Sequence, residues 1–259
     1  MAITLRSRRE IQLMRRAGAV VADVLSKLQE ISEPGVTTAQ LDSVAVQMAT
    51  EAGAEALFKG VRSPHARIPF PGAICASINE QVVHGIPSED TKLKEGDILS
   101  IDFGVRLEGY CGDAAITVAI GKVSEDKRRL MDVTKRALDI AIEKAAPAVK
   151  WSRIAAQMQQ YAESAGFSVV RDFVGHGIGR KMHEEPRVPN FVSDDLLAND
   201  TVLTEGMVLA VEPMINAGTS AVRTLKNGWT VVTKDGKCSA HFEHTIAIVK
   251  SGCEVLTVK

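Results

Sequence analysis

Aromatic residues are scarce in this sequence, with two Trp, two Tyr and seven Phe in 259 positions. Charge of one sign is missing too: 31 Lys and Arg stand against 32 Asp and Glu, a formal net charge of −1. With few stacking side chains and no basic excess, no nucleic-acid groove is expected, nor a global field that would attract anionic lipid. The four cysteines, Cys75, Cys111, Cys238 and Cys253, have no CxxC spacing. They read as reduced thiols of a cytoplasmic protein, packed as small hydrophobes. No apolar run reaches the roughly 18 residues that a membrane helix requires, so no membrane partner is expected. What remains, 45% hydrophobic and 24% charged residues, is the composition of an ordinary globular chain.

Several arginines (Arg6, Arg8, Arg9, Arg15, Arg16) surround an apolar stretch near the start, as in a targeting peptide, but Asp23 interrupts it. Ile11, Met14, Gly18, Val21, Leu25 and Leu28 keep helical spacing, so the pattern predicts an amphipathic helix over about residues 7–30. A Pro-Gly break at SEPGV separates it from a second helix, opened by Thr37 or Thr38 and closed by Gly53. Residues 60–72, GVRSPHARIPFPG, read as a loop. Strands are predicted at 98–103 and 113–120, helices at 124–146 and 151–165, and further strands near 207–212, 229–233 and 241–249. No linker divides the chain, so residues 1–259 are expected to form one unit.

A faint internal repeat carries more information. HGI occurs at 84–86 and again at 176–178; EGDILSID at 95–102 matches EGMVLAVE at 205–212; GDAAITVAI at 112–120 matches FEHTIAIV at 242–249. The pattern predicts two related halves, about 75–165 and 166–259, about a pseudo-twofold axis. Strand alternation puts Asp102 beside Ser100 and Ile98, Glu212 beside Ala210, Asp113 beside Ala115 and Thr117, and Glu243 beside Thr245 and Ala247. Carboxylates in apolar strands must be neutralised, because stripping water from an unpaired ion costs several kcal/mol or more. No Lys or Arg shares these faces. Divalent cations would balance the charge, and carboxylates with an imidazole suit manganese, iron, cobalt or zinc.

Six segments then carry a resemblance: SINEQVVHGIP (77–87), LSIDFG (99–104), GYCGDAAIT (109–117), GHGIGRKMHEEP (175–186), GMVLAVEPMIN (206–216) and SAHFEHTI (239–246). Together they are similar to the pita-bread metallopeptidases, specifically the type I methionine aminopeptidases of the short bacterial form. The resemblance implies an α/β (α+β) pita-bread fold, in which helices cover an antiparallel sheet built from two pseudo-twofold-related halves. It implies two divalent metal ions, with Asp102 a ligand of one, His176 of the other, Asp113 and Glu243 bridging, and Glu212 both ligand and acceptor of the attacking water's proton. His84 and His183 look like the substrate-contacting histidines. Cys75, Phe70 and Trp229 look like parts of the methionine pocket. Met182 departs from the family pattern, standing where an aromatic is common, and the 60–72 loop is longer than in short bacterial members.

The implied activity is removal of N-terminal methionine from nascent proteins with a small second residue, by a monomer in the cytoplasm in transient contact with the ribosome. Two alternatives stay open at this point. An Xaa-Pro aminopeptidase or prolidase would use the same metals, but such enzymes usually carry an additional N-terminal domain that this length does not accommodate. A non-catalytic peptide-binding module would share the fold, although the ligand set is usually lost there.

Overall fold

A computed structural model describes residues 3–259; the first two positions of the expected unit lie outside the described residues. The chain starts with two helices, α1 (Arg8–Ile31) and α2 (Thr38–Glu51). Both open on a capping box, Ser7 with Glu10 and Thr37 with Gln40, so the first free amides are satisfied locally. Ile11, Met14, Gly18, Val21, Leu25 and Leu28 are all buried along one face of α1, as their spacing predicts.

Strands β1 (Glu55–Ala56), β2 (Cys75–Ile78), β3 (Gln81–Val83), β4 (Ile98–Leu107) and β5 (Tyr110–Ala119) come next, then α3 (Glu125–Lys144) and α4 (Trp151–Ser164). The remainder comprises β6 (Ser168–Val169), β7 (Gly175–Gly177), β8 (Glu184–Val188), α5 (Asp194–Ala198), β9 (Val208–Val211) and β10 (Met214–Asn216). It ends with β11 (Val222–Thr224), β12 (Val231–Thr233), β13 (Ser239–His241), β14 (Glu243–Val249) and β15 (Gly252–Val255). Residues 60–72 form no regular element, as expected.

The main sheet runs β1-β4-β5-β14-β9-β7-β8, with β2 added on β4 and β15 on β14. All its pairings are antiparallel. Its middle is two hairpin-like pairs, β4·β5 and β14·β9, joined through β5·β14. This is the antiparallel, helix-covered sheet implied by the resemblance, and the four strands of the acid repeat occupy matched positions in it. Helices α1 and α2 share a core with β4 and β5 through Val21, Leu25, Leu41, Ile101 and Phe103. Helices α3 and α4 share another with β9 and β14 through Leu138, Trp151, Leu209, Val211 and Ile246.

Two details of the repeat differ from the sequence-based expectation. The apolar faces of α3 and α4 share their core mainly with strands of the second half, including β9 and β14, with Ile98 of β4 and Ala119 of β5 at its border. We propose one unit of two related halves that divide near residue 121. The HGI repeat also does not mark equivalent places: His176 lies in β7, which pairs with β9, whereas the corresponding partner of β4 is β2, and His84 lies just beyond β3 at a positive φ of 58°.

Helix α1 lies against β5 at backbone distance. A Cβ at Gly112 would stand 2.8 Å from the amide nitrogen of Gly18, and one at Gly18 would collide with the carbonyl of Leu256. Helix propensity alone makes Gly18→Ala stabilising by about 1 kcal/mol, while overpacking against backbone makes it destabilising by about 1–3 kcal/mol. We expect destabilisation in denaturant unfolding; a gain in stability would contradict the close approach.

Candidate active site

The β4·β5 register sets Asp102 opposite Ala115 and Gly104 opposite Asp113, while β14 sets Glu243 opposite Ala115 from the other side. Antiparallel partners project to one face, so Ala115 leaves a gap flanked by Asp102 and Glu243, with Asp113 diagonal to both. Gly104 enlarges the gap, since a Cβ there would come 2.9 Å from Asp113 Oδ1. In the other half, His176 and Thr245 both lie opposite Ala210. Glu212 comes directly after β9, and Asn190 Nδ2 donates to its carbonyl at 3.0 Å.

Threonines on β5 and β14 stitch the halves together, joining β5 to β14 and to β13. Thr245 Oγ1 donates to the Asp113 carbonyl at 2.7 Å and accepts from its amide at 3.1 Å. Thr117 Oγ1 does the same for His241, at 2.7 and 3.0 Å. The acid-bearing backbone is thereby held from both sides.

These residues line one cavity of about 120 Å³: Asp102, Asp113, His176, Glu212 and Glu243 form its polar group, His84 and His183 add two further imidazoles, and Phe58, Val61, Phe70, Cys75, Met182 and Trp229 supply its apolar lining. All eleven site residues read from the sequence therefore meet there. Within it, Asp113, His176 and Glu243 offer ligand atoms lying within 4.8 Å of one another. His176 Nδ1 is 2.9 Å from the Gly177 carbonyl. A carbonyl only accepts, which assigns the ring proton to Nδ1 and leaves Nε2 with its lone pair, 3.6 Å from Glu212 Oε1.

Among the described residues no Lys or Arg lines the cavity. Asp102 Oδ1, Asp113 Oδ1 and Glu243 Oε1 are buried without a hydrogen-bond partner there. Burial pushes the Asp113 carboxyl up to about 7. Burial, reinforced by the neighbouring acids, pushes Asp102, Glu212 and Glu243 well above the usual carboxylate range. Burial also lowers His84 and His176 to about 4, with His183 adding to the effect, so both rings are neutral near pH 7. Orphaned oxygens and an unprotonated imidazole form a donor set for divalent cations, which supply the missing positive charge.

The apolar side is a compact cluster. Phe70 meets Trp229 edge-on at 5.3 Å, and Trp229 Nε1 donates to the Ile68 carbonyl at 3.0 Å, so the 60–72 loop forms part of the pocket wall. His84 packs edge-on against Phe173 and Trp229. The His183 ring, on an exposed residue, lies 4.3 Å from that of His176 and is tilted by 56° to it. Phe58 and Val61 were not anticipated from the sequence. Nor was His241, which is 2% exposed, with Nε2 unpartnered among the described residues and 3.9 Å from Glu212 Oε2. Strand alternation held the signal, since His241 lies two residues before Glu243.

A carboxyl whose native pKa exceeds its unfolded value of about 3.9–4.3 adds stability below that value and loses it as pH rises through the native one. For Asp113 that window runs from about 4 to about 7. Below about pH 6.5 the buried histidines, whose lowered pKa values give the opposite slope, offset this loss. Metal-free protein should therefore lose thermal stability as pH rises from about 6.5 through about 7, while a divalent cation at a hundredfold its Kd restores about 2.7 kcal/mol. Scanning calorimetry in chelator checks this; a metal-free transition that rises with pH over that range would contradict it.

Comparison with known proteins gives one answer. Residues 12–250 match the model of metallopeptidase family M24. The chain is 48% identical over 256 residues to the methionine aminopeptidase of Clostridium perfringens, covering 99% of each. It superposes on the crystal structure of the Thermotoga maritima methionine aminopeptidase with a TM-score of 0.94 at 38% identity, covering 100% of both chains. A prolidase from Pyrococcus horikoshii shares the fold at 21% identity, with a TM-score of 0.77 and 64% of that chain covered. The chain belongs to metallopeptidase family M24 and, within it, to the methionine aminopeptidases.

Proposed function

We propose that the chain removes the first methionine from nascent peptides whose second residue is small, with Asp102, Asp113, His176, Glu212 and Glu243 holding two divalent cations. The observation that carries this reading is the set of buried carboxylate oxygens without partners, in a cavity lined by no cationic side chain among the described residues. Cobalt, manganese, iron and zinc all suit such donors. Divalent cations bound there supply Lewis acidity, which brings the pKa of water toward about 7 and compensates negative charge developing on oxygen.

The protein's own groups do the rest. The apolar cluster of Phe58, Phe70, Cys75, Met182 and Trp229 takes the methionine side chain and excludes water; the thioether of Met182 packs against the substrate's own. The substrate's free amino group turns toward the carboxylates, which restricts cleavage to chain ends. Glu212 accepts the proton of the attacking water and returns it to the departing amine. His183 donates to the carbonyl oxygen as it gains charge, and neutral His84 hydrogen-bonds the scissile amide. We also infer a monomer in the cytoplasm that meets its substrates beside the ribosome. The four cysteines are free, which suits a reducing compartment. Among the described residues no helix is long and apolar enough to cross a membrane.

Release of methionine from Met-Ala-Ser and Met-Leu-Ser, first in chelator and then with each metal restored, tests the activity. Cleavage should return with metal and favour Met-Ala-Ser by at least about tenfold; no release with any metal refutes the reading. His84→Ala should lower kcat by about a hundredfold or more without changing metal content. Unchanged turnover would remove His84 from the mechanism.

A further inference from the structure

The short segment 179–184, which presents Met182 and His183 to the cavity, is tied to the beginning of α1. Arg6 is almost fully buried, and its Nη2 donates to Glu184 Oε2. The other oxygen of that carboxylate, Oε1, accepts the amides of Arg180 and Lys181, each at 3.0 Å. One carboxylate thus closes the turn over 180–184 and receives Arg6 from beneath. Gly179 makes the passage possible, because a Cβ there would collide with the Arg6 guanidinium. The Arg6 backbone is pinned as well, its amide donating to the Gly206 carbonyl at 2.7 Å.

A second strut runs in parallel. Tyr110 donates to Glu10 Oε1 at 3.0 Å and accepts from Arg180 Nη2 at 2.7 Å, while the Arg180 guanidinium lies 4.7 Å over the Tyr110 ring. Glu10 is itself fixed by the capping box with Ser7. One strut starts from Arg6, just before the Ser7 cap of α1, and the other from Glu10 in its first turn; they end on the two sides of the His183 turn. Simple anchoring of the helix would not require a buried guanidinium aimed at the residue next to His183.

We propose that Arg6 is a positioning residue for the reaction, acting through Glu184 to hold His183 at the cavity. This rests on the proposed role of His183 as donor to the carbonyl oxygen. Displacement of a reacting contact by about 1 Å costs on the order of a hundredfold in rate, so a small relaxation of the turn is enough to be measured.

The test uses the full chain, loaded with Mn(II), as Arg6→Ala, Arg6→Lys and Glu184→Gln, with Arg15→Ala as control. Arg15 pairs with Glu254 at 2.5 Å from the same helix but away from the cavity. Arg6→Ala should lower kcat by about 10–100-fold with KM and metal content little changed, and amide hydrogen exchange across 179–184 should accelerate. Arg6→Lys should recover part of the rate, since an ammonium offers a point charge without the planar fork. In a His183→Ala background the Arg6→Ala loss should largely vanish, because both changes remove the same contact. Unchanged exchange across 179–184, or losses that multiply in the double variant, would overturn the proposal. If His183→Ala alone leaves kcat intact, the role of His183 falls and this proposal with it, whereas accelerated exchange in Arg6→Ala would mark the failure as chemical and not structural. Should Arg6→Ala fail to fold, Arg6→Lys and Glu184→Gln carry the same comparison.

Discussion

Buried negative charge is the constraint on which this structure turns. Four carboxylates face one small cavity, three of their oxygens have no partner among the described residues, and burial pushes every one of the four upward in pKa. Such a cluster is costly by itself, since each ion loses its water and repels the others. The surrounding architecture keeps it assembled. Alanines at 115 and 210 and glycine at 104 leave the space, Thr117 and Thr245 tie the central strands together, and Asn190 holds the backbone at Glu212.

That arrangement explains why the fold is doubled. A pair of strands can present two acids on one face, and joining two such pairs through β5 and β14 brings four into one place. Each pair is backed by its own helices and core, so the acids sit on strands packed from behind and not on free loops. The histidines come from different sources. His176 belongs to the sheet, whereas His84 and His183 stand outside the strands, His84 just after β3 and His183 just before β8.

The same division decides what was legible in the sequence. Asp102, Asp113, Glu212 and Glu243 were readable because strand periodicity and the repeat both single them out, and α1 was readable from the spacing of Ile11 through Leu28. The short strands β6, β7, β10 and β13 left little trace, since three residues or fewer carry no period and owe their pairing to distant partners. A lone histidine in a strand ordinarily packs as core, so His241 is marked only by its position two residues before Glu243. The HGI similarity carries no structural equivalence because three residues say nothing of register, and α3 and α4 carry no mark in sequence of the strands they cover. Phe58 enters the pocket from just after β1 and Val61 through the path of the 60–72 loop, tertiary facts with no local signature.

The central claim is that the acid cluster exists to hold divalent cations. Calorimetric titration of metal-free chain with Mn(II), repeated in two buffers of different ionisation heat, reads stoichiometry and proton release together. Two cations per chain, with protons released near pH 6–7 by carboxyls of raised pKa, is the expected result. Absence of binding, or binding whose heat is the same in both buffers, would contradict the account.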